Sequence, residues 1–570
     1  MKTRIKTFFL ILTALAVLMG TLILPSSAET LDVSTLYKKK DADDTWSVSD
    51  AQAIDLNGLQ DGETLTISEK GDYVLSGTLR GQILIEVPEE DKVRLILNGV
   101  NITAQEGPAI YEKSADKLII TLAEGTENFL TDGAMVTDDD DTIGAALYAE
   151  DDLSINGAGS LTASGTQKHG IQSKADLVIA NGQITVSAVL DGIRGRNSVL
   201  VLDGKISVTA GGDGITSTRT DAEGKGWIVL AGGEITVKTG DGAGAVRASA
   251  NSRGGFGGGF GGRGRWDDWG RQTQTDDSGV SQKAVKAAAD LTVLDGTYVF
   301  DCADDGLHGV SVTVNGGAFS ILSGDDGIHA DETMTVNGGT IGIAQCYEGL
   351  EGKNVTVNGG EISITASDDG VNASGGNDGS GFGGWGRGGG GFSEADNGGM
   401  LTITGGHISV TAGGDGLDSN GSILMSGGVV GVWTAANGME GPIDFNGTGT
   451  ISGGTLIVAC NGGGMGGSAQ LSGQAAMTLS VSGGAGETVT VLDGNGAELG
   501  TFTPGNAFGT LMISSDGLQE GGAFTVTAGS RTLYSGAMEN NSNVYNGYGY
   551  GPGNGGGFGP GNGRHGRRGW

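Results

Sequence analysis

Residues 325–370 read DDGIHADETMTVNGGTIGIAQCYEGLEGKNVTVNGGEISITASDDG, and this stretch contains two copies of one pattern. Each copy begins with an acidic residue and a glycine and continues with two short runs of alternating apolar residues. In Met334–Val336 and Ile341–Ile343 every second side chain points to one side, as in a β-strand. The Asn-Gly-Gly between them favours a turn with positive φ. The stretch therefore predicts two successive strand–turn–strand units.

The same pattern extends in both directions from this stretch. Three columns of apolar residues keep a step of about 22 residues, apart from one longer step that falls at the same place in each column. The columns are Leu307, Ile328, Leu350, Val371, Leu417 and Met439; Val312, Met334, Val355, Leu401 and Ile423; and Phe319, Ile341, Ile362, Ile408 and Val430. Upstream, Ile171, Ile193 and Ile215 keep the same regular step. A single insertion of about 24 residues explains the longer step, because the repeat resumes unchanged after it.

This period predicts the architecture. A repeat of about 22 residues with two short strands is typical of one rung of a parallel β-helix, whereas a propeller blade needs about twice that length. We therefore predict an all-β protein that forms a right-handed parallel β-helix over residues 106–465. Irregular β caps are expected at residues 29–105 and 466–538, and two glycine-rich inserts at about 243–282 and 374–397.

The composition limits the class of protein. The 570 residues include 113 glycines, 33 Lys and Arg, and 67 Asp and Glu, which gives a net charge of −34. A nucleic-acid-binding protein needs the opposite sign, because attraction to phosphate supplies most of its affinity. We therefore expect no nucleic-acid partner.

The N-terminus has the features of a signal peptide at residues 1–28. Lys2, Arg4 and Lys6 precede the apolar run Phe8–Leu24, and small residues follow it. We expect a secreted, extracellular protein with no later membrane segment, and its charge after cleavage is −34 − 3 = −37. An uncleaved membrane anchor is the alternative, and association with the cell surface is a further one.

The residues just before the first apolar column are mostly acidic. Stacked rungs bring equivalent side chains to about 4.8 Å, so these carboxylates repel one another unless a cation lies between them. Calcium binds such oxygens at about 2.3–2.6 Å, which predicts a calcium site; aspartates that only form turns are the alternative. The acidic ladder consists of Asp191, Asp213, Asp304, Asp305, Asp325, Asp326, Glu348, Asp368, Asp369 and Asp415, and is continued by Asn437.

A glycine follows the acidic residue in each rung of the ladder, and a second polar column lies two positions after that glycine. We predict that its members, together with Lys353, contact ligand. The members so predicted are His308, His329, Glu351, Asn372 and Asp418, and Glu440 continues the column without being assigned to the ligand. His308 and His329 are one rung apart, so a transition-metal pair is one interpretation and hydrogen-bonding histidines the other.

The inserts and the tail at residues 539–570 are rich in glycine, aromatic residues and arginine. Trp266, Trp269 and Trp385 have the flat apolar faces that stack on sugar rings, and the arginines can pair with carboxylates. We predict that these segments contribute to ligand binding. Solvated filler is the alternative, and so is self-association of the arginine-bearing loops with the acidic face.

Several segments together resemble a known family. They are Val93–Ile102, Leu118–Leu122, His169–Ile179 and Asp191–Ile193, with the Asp-Asp-Gly rungs. Over about residues 50–530 the chain resembles the carbohydrate-binding β-helix domain of secreted clostridial and related Gram-positive proteins, which is similar in fold to calcium-dependent polysaccharide lyases. The resemblance implies binding of acidic plant polysaccharide such as polygalacturonate, or of cellulose, with bound calcium and no established catalysis. The calcium ligands that it implies are Asp304, Asp305, Asp325, Asp326, Glu348, Asp368 and Asp369.

This sequence departs from that pattern at two rungs. Tyr347 replaces the first acidic residue before Glu348, and the rung at Ala284-Val285 lacks the acidic pair. The resemblance therefore supports a calcium site less strongly at these two rungs than at the others.

Three functions remain open on these grounds. The leading one is non-catalytic, calcium-dependent binding of acidic polysaccharide, in which calcium bridges carboxylates of the protein and of the sugar. A β-eliminating lyase is the second, with Lys353, Arg194 and Arg196 as candidate bases. A structural surface protein or adhesin that uses the inserts and the tail is the third.

Overall fold

The computed structural model describes residues 31–138, 141–244, 280–374, 398–435, 441–461 and 471–539. The regular secondary structure of this part of the chain is β-strand, apart from three short 3-10 helices, and there is no α-helix in it. It contains no helix long and apolar enough to span a bilayer. The predicted signal peptide, the three tryptophans at 266, 269 and 385, and the tail from residue 540 lie outside the described residues.

The elements before the first glycine-rich insert are short. The 3-10 helices are Val33–Thr35, Lys39–Asp41 and Leu56–Gly58. The first strands are β1 (Gln52–Asp55), β2 (Thr64–Ile67), β3 (Gly71–Leu79), β4 (Gln82–Glu86), β5 (Lys92–Thr103), β6 (Ile110–Ser114), β7 (Lys117–Leu122), β8 (Glu127–Thr131), β9 (Val136–Asp138) and β10 (Asp141–Ile143). They are followed by β11 (Ala145–Ala149), β12 (Asp152–Gly157), β13 (Ser160–Gly165), β14 (His169–Ser173), β15 (Asp176–Ile179), β16 (Gln183–Ala188), β17 (Ile193–Gly195), β18 (Ser198–Val201), β19 (Lys205–Ala210), β20 (Ile215–Ser217), β21 (Trp227–Leu230) and β22 (Glu234–Thr239).

The strands after that insert continue the stack and then leave it. The stacked strands are β23 (Val285–Lys286), β24 (Asp290–Val293), β25 (Thr297–Cys302), β26 (Leu307–Val314), β27 (Ala318–Ser323), β28 (Ile328–Val336), β29 (Thr340–Cys346), β30 (Leu350–Val357), β31 (Glu361–Ala366), β32 (Val371–Ala373), β33 (Met400–Ile403), β34 (His407–Ala412), β35 (Leu417–Ser419), β36 (Ser422–Thr434), β37 (Gly449–Cys460) and β38 (Leu471–Gly473). The last are β39 (Ala476–Leu479), β40 (Val489–Asp493), β41 (Glu498–Phe502), β42 (Thr510–Ser515), β43 (Ala523–Ala528) and β44 (Arg531–Ala537).

The stacked strands form a parallel β-helix with three faces, which confirms the predicted fold. β11, β12 and β13 make one rung, and each pairs in parallel with its counterpart in the next rung, β14, β15 and β16. We call the faces that contain β11, β12 and β13 the first, second and third face. The sequence pattern showed the apolar column of the first face but predicted strands only on the second and third, because first-face strands such as β17 have just three residues and one inward apolar side chain.

The predicted apolar columns are rows of paired, buried residues. Phe319 pairs with Ile341 and Ile341 with Ile362, one rung at a time, and all three are at most 2% exposed. One member of a column is wrong: Leu417 faces Ile443 in the next rung rather than Met439. The step from Leu417 to Ile443 is four residues longer than the regular step, so the regular step from Leu417 falls short of the true partner. Met439 itself lies outside the described residues, as do the predicted Asn437 and Glu440.

The parallel stack begins earlier than the predicted boundary at residue 106. β1 already pairs in parallel with β3, and β2 with β4. The early first-face steps are irregular, since the step from Leu65 to Ile83 is shorter than the regular one and the step from Ile83 to Ile110 is longer. Because the turns vary in length, a search for a fixed period cannot detect these rungs, and the stack starts at Gln52 rather than at residue 106.

Antiparallel strands close the C-terminal end. β42 pairs in antiparallel fashion with the second half of β37, so the open edge of the third face is covered. β40, β41, β43 and β44 form a separate four-stranded sheet. Phe502 and Trp433 pack in one apolar cluster, so residues 471–539 also cover the outside of the third face.

Two kinds of glycine make the rungs stack. In Asn337-Gly338-Gly339 only Gly339 has positive φ, at +97°, which an L side chain rarely adopts. Gly327, which follows Asp326, has no such φ, but a Cβ there would lie 2.6 Å from the carbonyl oxygen of Gly349 in the next rung. The Asp-Gly glycines therefore allow close approach of successive rungs, and this brings the acidic residues beside them into register.

Candidate functional site: a charged corner of the β-helix

The Asp-Gly turns stack into one corner, at the start of the first face. We call the residues two positions before each inward apolar residue of that face the inner column. In chain order they are His169, Asp191, Asp213, Lys283, Asp305, Asp326, Glu348, Asp369 and Asp415. The residues one position after the same apolar residue form the outer column. They are Gln172, Arg194, Thr216, Lys286, His308, His329, Glu351, Asn372, Asp418 and Asp444.

The inner-column carboxylates hold the rungs together. The backbone N–H of Asp213 donates to Oδ1 of Asp191 at 3.1 Å. In the same way the N–H of Asp326 donates to Asp305 at 3.2 Å, and the N–H of Glu348 donates to Asp326 at 3.3 Å. One oxygen of each acceptor carboxylate is thus used to satisfy a buried backbone group, which gives these acidic residues a structural role independent of any ion.

Internal cations neutralise the N-terminal part of the corner. Lys283 occupies the inner-column position that an acidic residue fills in the neighbouring rungs. Its ammonium makes a close ion pair with Asp305 and lies 3.1 Å from Asp304. Burial alone would raise the pKa of Asp305, but Lys283 and then His308 hold it well below its usual value. The repulsion inferred from the sequence is therefore relieved here by the chain's own side chains.

Two stacked histidines lie at the middle of the corner. The rings of His308 and His329 have centroids 4.8 Å apart and are inclined by 26°. Nδ1 of each ring lies 2.9 Å from a buried carboxylate, Asp305 for the first and Asp326 for the second. Their Nε2 atoms lie 3.7 and 3.6 Å from the same oxygen of Asp331. The outer column thus brings both predicted histidines together, among carboxylates.

The second histidine is held in its charged form. Nδ1 of His329 also lies 2.5 Å from Oε2 of Glu351. Burial opposes the charge, but Asp326 and Glu351 raise the pKa of His329 to about 11. Burial raises the pKa of Asp326, and the neighbouring charge of Glu351 adds to this effect. His329 and Glu351 therefore form an ion pair beside Asp326, and the imidazole is not the neutral ring that binds a metal.

The C-terminal end of the corner is acidic. Asp415, Asp418 and Asp444 each offer a carboxylate oxygen, and these oxygens lie within 4.8 Å of one another. Asp415 is buried and the other two are half-buried. Burial raises the pKa of Asp444. Asp444 does not lie at the regular step from Leu417, so the period of the sequence does not reveal it. The available signal was the apolar–acidic pair Ile443-Asp444, which follows Gly441-Pro442.

The remaining predicted residues fall into different environments. Glu351 and Asn372 are only 4% and 3% exposed, and Asn372 donates to Glu348 at 2.9 Å, so both support the ladder from inside. Asp304, Asp325, Asp368 and Asp369 are half-buried at the same corner. Among the candidate bases, Nζ of Lys353 lies 3.7 Å from Glu332.

The fold and this corner define a parallel β-helix protein whose first face carries a long row of ionisable side chains. The sequence profile of a family described as carbohydrate-binding domain-containing protein matches residues 61–349, slightly more than half of the chain. The chain therefore belongs to the carbohydrate-binding domain-containing protein family.

Similar proteins have been found by sequence and by structure. A carbohydrate-binding domain-containing protein of Acetivibrio thermocellus is 43% identical over 196 residues, which cover 34% of this chain and 68% of that protein. A solved structure described as a polysaccharide lyase-like protein from C. thermocellum, gadolinium derivative, is 28% identical and covers 47% of this chain and 92% of its own. Its TM-score of 0.34 is too low for the likeness to bear on this chain.

Proposed function

We propose that the chain is a secreted, non-catalytic carbohydrate-binding protein that holds acidic polysaccharide, such as polygalacturonate, through calcium. Membership of the family supports carbohydrate as the ligand. The observation that carries the calcium part is the convergence of Asp415, Asp418 and Asp444, whose oxygens lie within 4.8 Å of one another. Calcium prefers a donor set of this kind, made only of oxygen atoms.

The acidic end fits calcium better than the rest of the corner does. At Asp304, Asp305 and Asp325 the oxygens also converge, but the ammonium of Lys283 already supplies positive charge to two of them. The clusters that contain His329 hold a charged imidazole, which repels a cation. We therefore place the proposed ion at Asp415, Asp418 and Asp444 and do not extend the proposal to the other acidic rungs.

The charge of the chain explains why an ion is needed for an acidic ligand. A protein with a net charge of −34 repels a polyanion, and an acidic corner repels it further. Calcium, when bound, supplies positive charge shared between protein and sugar carboxylates. Asp418 and Asp444 are half-buried and so lie where an ion can also reach a ligand, while the buried Asp415 fixes the floor of the site.

Calorimetric titration of an oligogalacturonate into the protein, with calcium and then with a chelator, tests this proposal. We expect binding that is largely lost with chelator, and a matching loss in Asp418→Asn and Asp444→Asn. Asp290→Asn, which removes an exposed acidic residue of the second face, is the control and should bind as the wild type does.

The same samples are monitored for the ultraviolet absorbance of unsaturated uronide. We expect none, and its release would favour the lyase alternative instead. Equal binding of the oligogalacturonate with calcium and with chelator would contradict the proposed function. No binding in either buffer would contradict it as well.

A further inference from the structure

A groove of about 640 Å³ lies at the other, N-terminal end of the charged corner. Its floor is made by the rungs whose inward residues are Ile171 and Ile193. Thr142, in the β9–β10 hairpin, forms one wall, and Val280, which precedes β23, forms another. Thr142 and Val280 thus border part of an otherwise open face, and the volume is in the range of small-molecule ligand sites.

The groove is cationic on a strongly acidic protein. Four cations line it, Lys168, Lys174, Arg194 and Arg196, together with one carboxylate, Asp191. On a chain with twice as many acidic as basic side chains, such a cluster is unexpected by chance. The mutual repulsion of these cations favours the entry of an anion, because like charges close together destabilise one another.

The lining cations differ in what they contact. Nη1 of Arg194 lies 2.8 Å from Oδ2 of Asp191, which fixes this guanidinium on the floor. Nζ of Lys168 donates to the carbonyl oxygen of Thr142 at 2.9 Å. Arg196 is exposed and makes no ion pair with any residue in the described ranges. Its planar guanidinium can therefore receive a carboxylate or sulfate through two parallel hydrogen bonds.

A buried histidine lies among the cations of the groove. His169 forms part of the floor, its side chain is 8% exposed, and its Nδ1 has no hydrogen-bond partner. Burial, followed by the charges of Arg194 and Lys168, lowers its pKa to about 3. The imidazole is thus neutral because it is buried among positive charges, although Asp191 lies 3.4 Å away. An anion in the groove would enter a favourable field.

We propose that this groove binds the carboxylate or sulfate group of an acidic saccharide directly, with no metal ion, and that Arg196 makes the principal contact. The proposal shares with the proposed function its class of ligand, an acidic saccharide, but not its need for calcium. One face would then recognise acidic sugar in two ways, through its own cations at one end and through calcium at the other.

The test is titration of the full chain in the presence of chelator, with an oligogalacturonate in one arm and a sulfated oligosaccharide in the other. We expect chelator-resistant binding in at least one arm, weakened by added salt. Arg196→Gln should weaken it by about tenfold, the loss expected for one charged hydrogen bond. Lys205→Gln, which removes an exposed lysine on the third face, is the matched control for net charge.

The two arms identify the anion: binding of the uronate ligand assigns a carboxylate, and binding of the sulfated ligand assigns a sulfate. Absence of chelator-resistant binding in both arms overturns the proposal, and so does an equal loss in Lys205→Gln. Failure of the calcium site is distinguishable, because Asp418→Asn changes only the component that chelator removes.

Discussion

The two ends of the charged corner share one backbone geometry and differ in how they treat acidic side chains. At the N-terminal end the carboxylate of Asp191 lies 2.8 Å from Arg194, and Asp305 pairs with Lys283. At the C-terminal end the columns bring Asp415, Asp418 and Asp444 together. In both halves the inner-column acids accept a backbone N–H from the next rung. The ladder itself is therefore structural, and its charge balance is set rung by rung.

This difference separates two roles that the sequence pattern combines. An acidic residue whose second oxygen faces an internal cation stabilises the stack and leaves little affinity for an ion. An acidic residue that faces other carboxylates offers a cation site instead. The stacked histidines lie between these two parts of the corner. His329 resembles the acidic part, because neighbouring carboxylates raise its pKa to about 11.

The largest effect is expected from removal of the internal cation. Lys283→Met leaves Asp304 and the buried Asp305 without their ammonium partner, so the free energy of unfolding should fall by about 3–5 kcal/mol. Urea and thermal unfolding followed by circular dichroism measure this. The exposed pair of Lys205 with Glu234 provides the control, and Lys205→Met should change stability by less than about 0.5 kcal/mol.

The unfolding of Lys283→Met can also be measured with added calcium. In Lys283→Met the vacated carboxylates should accept the ion, so calcium should restore part of the lost stability and make this rung resemble the acidic end. A variant as stable as the wild type without calcium would show that Lys283 does not balance the ladder.

A smaller effect is expected from calcium on the wild-type protein. An ion that binds only the folded state at a concentration a hundredfold above its Kd adds about 2.7 kcal/mol to the free energy of unfolding. Thermal unfolding with calcium and with chelator should show this gain, and Asp444→Asn should abolish it. Asp290→Asn should retain it. A gain that persists in Asp444→Asn would locate the ion elsewhere and remove the proposed distinction between the two ends.

The smallest effect concerns the ionisation of two histidines at neutral pH. Neither His169, with its pKa lowered to about 3, nor His329, with its pKa raised to about 11, should titrate near pH 6.5. NMR of the imidazole carbons, assigned with His169→Asn and His329→Asn, checks this. A midpoint near pH 6.5 for either ring would mean that burial and the neighbouring charges do not shift the pKa of that ring as the geometry implies.

The same two histidines should affect stability in opposite directions with pH. The contribution of His169 is present above about pH 6.5 and is lost as the pH falls towards 3, because only the unfolded state then takes up the proton. That of His329 is present below about pH 6.5 and is lost as the pH rises towards 11. Unfolding of the two Asn variants across these ranges separates the contributions.

The stack and the place of the charged corner could be read from the amino-acid sequence alone. In a β-helix the strand partner of a residue lies one rung away, so a fixed step such as that from Phe319 to Ile341 states a spatial contact directly. The alternation of apolar residues and the Asn-Gly-Gly turns also indicated which side of each strand is buried. The acidic ladder followed from the same step, because residues in equivalent positions must stack.

Only the structure shows which side chains lie next to each charged residue of the corner. Lys283 keeps the regular step to Asp305, but a search for acidic residues does not detect a lysine at that position. Asp444 follows a rung that is four residues longer than the regular step, so the period does not reveal it. The groove needs Thr142 and Val280, which approach the corner from excursions outside the repeat. Periodicity encodes the contacts between neighbouring rungs, whereas electrostatic partners depend on chain segments of irregular length that meet only when the rod is formed.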